Sequence, residues 1–179
     1  MVDQTDKKNK SKTKNKRAPY RPPEKPVVKM NTGSKLARRT GARLAAVQII
    51  YQMLITGQSD AAAEIKDYLE HRAGFNLDGD VFVPPEAEYL EAIVMSLDER
   101  RADIAEIIGA TLAHHNREGI DPLLKAVLYA GTTELLLKPE VDTAIIIADY
   151  LNVTKGFYDD GEAKLIHALL DKIAQKLRA

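Results

Sequence analysis

Arg38, Arg39 and Arg43 stand at the front of an almost uncharged stretch, LAAVQIIYQMLI. Guanidinium groups bind phosphate through paired hydrogen bonds, and the free N–H groups at a helix start attract anions. Positive side chains in that place oppose the helix dipole and call for an anionic partner. The other reactive residue types are sparse. The histidines are His71, His114, His115 and His167. His114 and His115 are adjacent and diverge by about 100° on a helix, so they cannot chelate from one face. His167 and Asp171 are spaced for a surface helix pair. The carboxylates are scattered, no glycine run has the spacing of a phosphate-binding loop, and there is no cysteine. Neither a metal, a cofactor nor an enzymatic reaction is expected from these residues.

Those arginines belong to a chain of strongly divided charge. Residues 1–43 carry 14 Lys/Arg against 3 Asp/Glu, and residues 44–179 carry 12 against 23, so net charges of +11 and −11 cancel. A basic end suits a polyanion, and an acidic body suits a basic protein. A lysine-rich solubilising tail is the plainer alternative. Absence of cysteine favours an intracellular, cytoplasmic setting, and neither a signal peptide nor a membrane span is expected.

The positioning elements read as helices. Residues 1–35 are rich in lysine, asparagine and proline, and are expected to be a disordered arm. A single all-helical domain is expected over residues 36–179. Its first helix carries an apolar stripe at Leu44, Val47, Tyr51 and Leu54, widened by Ala46, Ile50 and Met53, and should stop near Gly57. Asp60 is the expected N-cap of a second helix. Residues 74–84 read as a loop. Pro85 fits a first helical turn, followed by an inward stripe of Leu90, Ile93, Val94 and Leu97 and a break near Ser96 to Asp98. Ile104, Ile107, Ile108 and Leu112 form the next stripe. Asp121 and Pro122 mark a further N-cap and first helical position. The triplet Ile145, Ile146 and Ile147 has strand propensity, but finds no partner strand and reads as a helix buried on most sides. The final helix turns Ile166, Leu169, Leu170, Ile173 and Leu177 inward. The fold class is all-α, with about seven helices.

Three stretches in order resemble the NusB family of transcription antitermination factors. They are Arg43-Leu44-Ala45-Ala46-Val47-Gln48 with Tyr51-Gln52, LLKAVLYAGTTELLLKPEV (123–141), and IIIADYLNVTKGFYDDGEAKLIHALLDKIAQKLR (145–178). The resemblance implies two packed helical subdomains in a non-catalytic protein. It further implies binding to boxA-like single-stranded RNA of nascent ribosomal transcripts, together with NusE, a small-subunit ribosomal protein, in an RNA polymerase antitermination complex. The chain itself is expected as a monomer or weak homodimer. RNA-binding residues implied are Arg38, Arg39, Arg43, Gln48, Lys155, Phe157 and Lys164; protein-interface residues implied are Tyr51 and Glu134. Phe157 beside Lys155 suits base stacking, although it also suits a plug between helices. Tyr51 also suits the core, and Glu134 also suits a buried group inside the bundle. The chain departs from the family at Thr40, Gly41, Tyr129, Thr133 and Leu165 to Ala168. Two other readings stand beside this one: a helical protein-interaction module with weak or non-specific RNA binding, and a detached relative of the helical domain fused to ribosomal RNA methyltransferases.

Overall fold

The computed structural model describes residues 33–73, 76–77, 80–81, 83–113 and 119–178. Seven helices account for most of them: α1 Lys35–Thr56, α2 Ala61–His71, α3 Ala87–Glu99, α4 Arg101–Ala113, α5 Pro122–Leu137, α6 Thr143–Lys155 and α7 Asp160–Leu177. Between α2 and α3, where the sequence predicts a loop, Asn76–Leu77 (β1) and Asp80–Val81 (β2) pair antiparallel as a minimal hairpin. The expected arm up to residue 32, and His114 and His115, lie outside the described residues.

Local chemistry sets the helix ends. Ser34 accepts from the Ala37 amide at 3.1 Å and starts α1, and Gly57, at φ 71°, closes it in a left-handed turn open to glycine. Asp60, Asp121 and Asp142 accept from the Ala63, Leu123 and Ala144 amides. Pro122 occupies the first turn of α5, where its missing N–H costs nothing. Pro85 instead precedes α3, whose N-cap is Glu86, and the break after α3 falls at Arg100.

Helix α5 is the hub, touching α1, α3, α4, α6 and α7. Residues Ala126 to Leu135 are buried without interruption. Gly131 permits this close packing: a Cβ there would lie 2.9 Å from Leu170 Cδ2 and 3.3 Å from Tyr150 Cδ2. The triplet of isoleucines is helical, with Ile146 and Ile147 inward, but Ile145 is 46% exposed. In α1 the core face is Ala42, Arg43, Ala45, Ala46, Val47, Ile49, Ile50 and Met53. The expected stripe is therefore rotated, and Tyr51 stands outside it. Small alanines let α1 approach its neighbours closely; Tyr51 and Ile55 are left exposed, with Thr40, Leu44 and Gln48 half-buried. Gly41 has a matching reason: a Cβ there would come within 3.3 Å of the Val83 carbonyl oxygen, so glycine lets the segment before α3 lie against α1.

Candidate nucleic-acid interface

The start of α1 is anchored from inside. Arg43 is 1% exposed and Glu134 of α5 is fully buried. The Arg43 Nε lies 3.0 Å from each Glu134 carboxylate oxygen, and Nη2 donates to Oε1 at 2.5 Å. Tyr89 of α3 donates its hydroxyl to Glu134 Oε1 at 2.6 Å, and Tyr150 of α6 donates to Oε2 at 2.9 Å. Arg43 Nη1 also meets Asp149 of α6, which accepts from Thr40 Oγ1 at 3.0 Å. Four helices are thus pinned at one polar knot inside an apolar core.

Burial works against the charge on Arg43, but the hydrogen bond and the negative charge of Glu134 outweigh it and raise its pKa above the ordinary arginine value. Burial raises the Tyr89 and Tyr150 hydroxyls well above the usual tyrosine range, and Glu134 raises them further. Both phenols therefore stay protonated donors at neutral pH. Charge is matched where water is excluded, as a buried ion pair requires.

This arrangement corrects two expectations. Arg43 does not present its guanidinium to RNA, because that group is enclosed and already bonded to Glu134, Asp149 and Tyr89. Glu134 does not lie at a protein interface, because it is fully buried; it satisfies the arginine and both tyrosines. The sequence carried one faint sign of the pair: Glu134 is the single acidic residue of α5, set within an apolar run. Tyr89, Asp149 and Tyr150 gave no such sign, since their meeting depends on three-dimensional packing.

Arg38 and Arg39 remain at the surface of the same helix end, both half-buried. Arg39 lies 4.8 Å from the Tyr89 ring centroid and 3.4 Å from Glu86. Lys138, at the end of α5, approaches the same ring at 5.5 Å. One buried aromatic thus gathers Arg39 and Lys138 on the outside and Arg43 within, a cation–π arrangement that concentrates positive charge.

The second expected patch lies at the far end of α6. Phe157 is 52% exposed, so it does not plug the core, and Lys155 and Lys164 are exposed. Lys155, Phe157, Tyr158, Asp159 and Glu162 line a depression of about 420 Å³. Its carboxylates make it mixed in charge. Tyr51 is 39% exposed. Tyr158 donates to Asp121, the N-cap of α5. Thr40 and Arg43 of α1 both meet Asp149 of α6. The half-buried Gln48 lies on α1 between Arg39 and Tyr51, and Arg38 and Tyr51 are about 20 Å apart along that helix.

Other departures also have structural places. Thr133 donates to the Tyr129 carbonyl at 2.7 Å, and Tyr129 is packed beneath Lys125. Asp171 accepts from Gln175 at 2.7 Å, and His167 is exposed. Among the described residues, no group of three or more His, Asp or Glu could hold a metal ion, and no helix is long and apolar enough to cross a membrane.

The fold and site define an all-α protein in which a buried arginine–glutamate knot holds a basic helix start, with an exposed aromatic and lysine patch elsewhere on the surface. The sequence model of the NusB family matches residues 40–175. A "Transcription antitermination protein NusB" of Rhizobium rhizogenes is 36% identical over 142 residues, covering 79% of this chain and 88% of that protein. A protein of the same description from Hyphomonas neptunium is 38% identical over 144 residues, covering 80% and 93%. A solved structure of T. maritima NusB superposes with a TM-score of 0.65 at 18% identity, covering 79% of this chain and 93% of that one, and shows the shared fold. The chain belongs to the NusB family.

Proposed function

We propose that this protein binds boxA-like single-stranded RNA of nascent ribosomal transcripts together with NusE, and joins an RNA polymerase antitermination complex. Membership of the NusB family supports the general role of a non-enzymatic regulator of transcription antitermination. The observation that carries the RNA reading is the arginine-bearing start of α1, held rigid by the Arg43–Glu134 knot. Arg38 and Arg39 supply phosphate contacts there. Gln48 bridges towards Lys155 and Phe157, where the lysine holds the backbone and the exposed ring stacks on an unpaired base. Lys164, one helix further on, adds to the same charge. Tyr51, exposed beside this path, offers its ring and hydroxyl to the protein partner. The acidic body favours a basic partner such as a ribosomal protein.

Calorimetric titration with the organism's own NusE, with and without boxA RNA, tests the reading. A complex tightened by the RNA is expected. Failure to bind in either condition overturns it.

A further inference from the structure

A groove between α2 and α3, of about 370 Å³, has Ile65, Leu69 and Met95 along its apolar floor and Glu70 and Glu91 among its polar lining. Lys66 also lines it and reaches Glu70 at 4.0 Å. Within these two helices seven carboxylates outnumber a single lysine, Lys66; Glu64 is buried against Gln52 and Asp98 pairs with Arg101, which leaves Glu70 and Glu91 as the acidic lining of the groove. Arg72 and Arg100, at the C-caps, do not line the groove and pair with Asp67 and Asp103. An apolar floor beside carboxylates fits a basic segment that carries apolar side chains.

The chain holds such a segment. Residues 1–32 carry ten Lys/Arg and three Asp/Glu, a net of +7. Within residues 17–30, Tyr20, Val27, Val28 and Met30 are interspersed with Arg17, Arg21, Lys25 and Lys29. The point of departure is close. A Cβ on Gly33 would lie 2.5 Å from Val83 Cγ1, so the arm joins the body beside the segment that leads into α3. From Val83 to Glu91 is on the order of 20 Å or less, which a tether of a few extended residues spans. At that distance the arm is present at millimolar effective concentration, and even a weak contact is populated.

We propose that residues 17–30 of the chain's own N-terminal arm seat in the α2–α3 groove, their lysines and arginines beside Glu70 and Glu91 and their apolar side chains on Ile65, Leu69 and Met95. The inference does not rest on the RNA reading. It makes the acidic body an internal competitor for the basic arm, so that a polyanion must displace it.

The absence of cysteine allows the full-length chain to be tested with one spin label. Ala18→Cys carries the nitroxide at a position fifteen residues from Gly33, where the tether alone does not force proximity to the groove. Amide resonances of Leu69, Glu91 and Met95 should lose most of their intensity, while those of Gln175 and Lys176 on α7 should keep theirs. Reversing the groove charge with Glu70→Lys and Glu91→Lys should restore the lost signals without changing helical content. Absent or evenly spread broadening overturns the proposal, as does groove broadening that survives charge reversal. Mixing spin-labelled chains with isotope-enriched chains that carry no spin label isolates contact between molecules. Broadening of equal strength in that mixture assigns the groove to a second copy and also overturns the proposal.

Discussion

Arg43 and Glu134, ninety-one residues apart in sequence, form a fully enclosed ion pair that joins α1 to α5. Tyr89 and Tyr150 complete the carboxylate's hydrogen bonding from α3 and α6. The pair divides the arginines of α1: one is committed to the interior, and Arg38 and Arg39 remain at the surface.

Removing one partner leaves the other charge buried without a counterion. Arg43→Ala or Glu134→Ala should lower unfolding free energy by about 3–5 kcal/mol. Replacing both at once, with Arg43→Ala and Glu134→Ala together, should cost much less than the sum of the single changes. Urea denaturation of the four proteins measures the coupling. Additive losses would show that the two side chains do not act as a pair.

Most helix positions were legible because caps and breakers are local: Gly57, Asp60, Asp121 and Pro122 act on residues within one turn, whereas the Ser34 cap of α1 fell inside the stretch read as an arm. The inward face of α1 was less legible. Apolar spacing favoured Tyr51 for the core, whereas close packing uses Ala42, Ala45 and Ala46 and leaves the large ring at the rim. Arg43 read as an RNA-facing charge, and Glu134 was left open between an interface and the bundle interior, because sequence shows each residue's chemistry but not the partner brought to it from another helix. The hairpin of β1 and β2 was hidden for a related reason, since two-residue strands carry no measurable periodicity.

Tyr51 is exposed on α1, so its truncation should leave the body intact. Tyr51→Ala should change stability by about 0.5 kcal/mol or less, while weakening partner binding by about 1–3 kcal/mol. Thermal melts and calorimetry on the same protein separate the effects. A large drop in melting temperature would place the ring in the packing instead.

Gly131 lies where α5 meets Leu170 and Tyr150. Gly131→Ala should overpack this contact and destabilise the fold by roughly 1–3 kcal/mol, outweighing the better helix propensity of alanine. A rise in the denaturation midpoint would show that Leu170 moves aside freely.

Asp121 is held below the ordinary aspartate pKa first by the Tyr158 hydroxyl and then by the amides of its own cap, with slight burial acting the other way. A lowered folded pKa stabilises the fold above the unfolded value of about 3.9, and that contribution is lost as pH falls through the folded value. Tyr158→Phe should therefore be less stable than the parent at pH 5 to 7, with the gap narrowing below about pH 4. A gap that is constant with pH would detach the hydrogen bond from Asp121 ionisation.

The division of the α1 arginines is tested most directly by fluorescence anisotropy with a boxA-like single strand at two salt concentrations. Arg38→Ala with Arg39→Ala should weaken binding and flatten its salt dependence, by about 0.7 in slope for each phosphate no longer neutralised. Helical content and melting temperature should stay close to the parent's. A double variant that binds like the parent at both salt concentrations, or that binds more weakly with the parent's salt slope intact, would contradict the account.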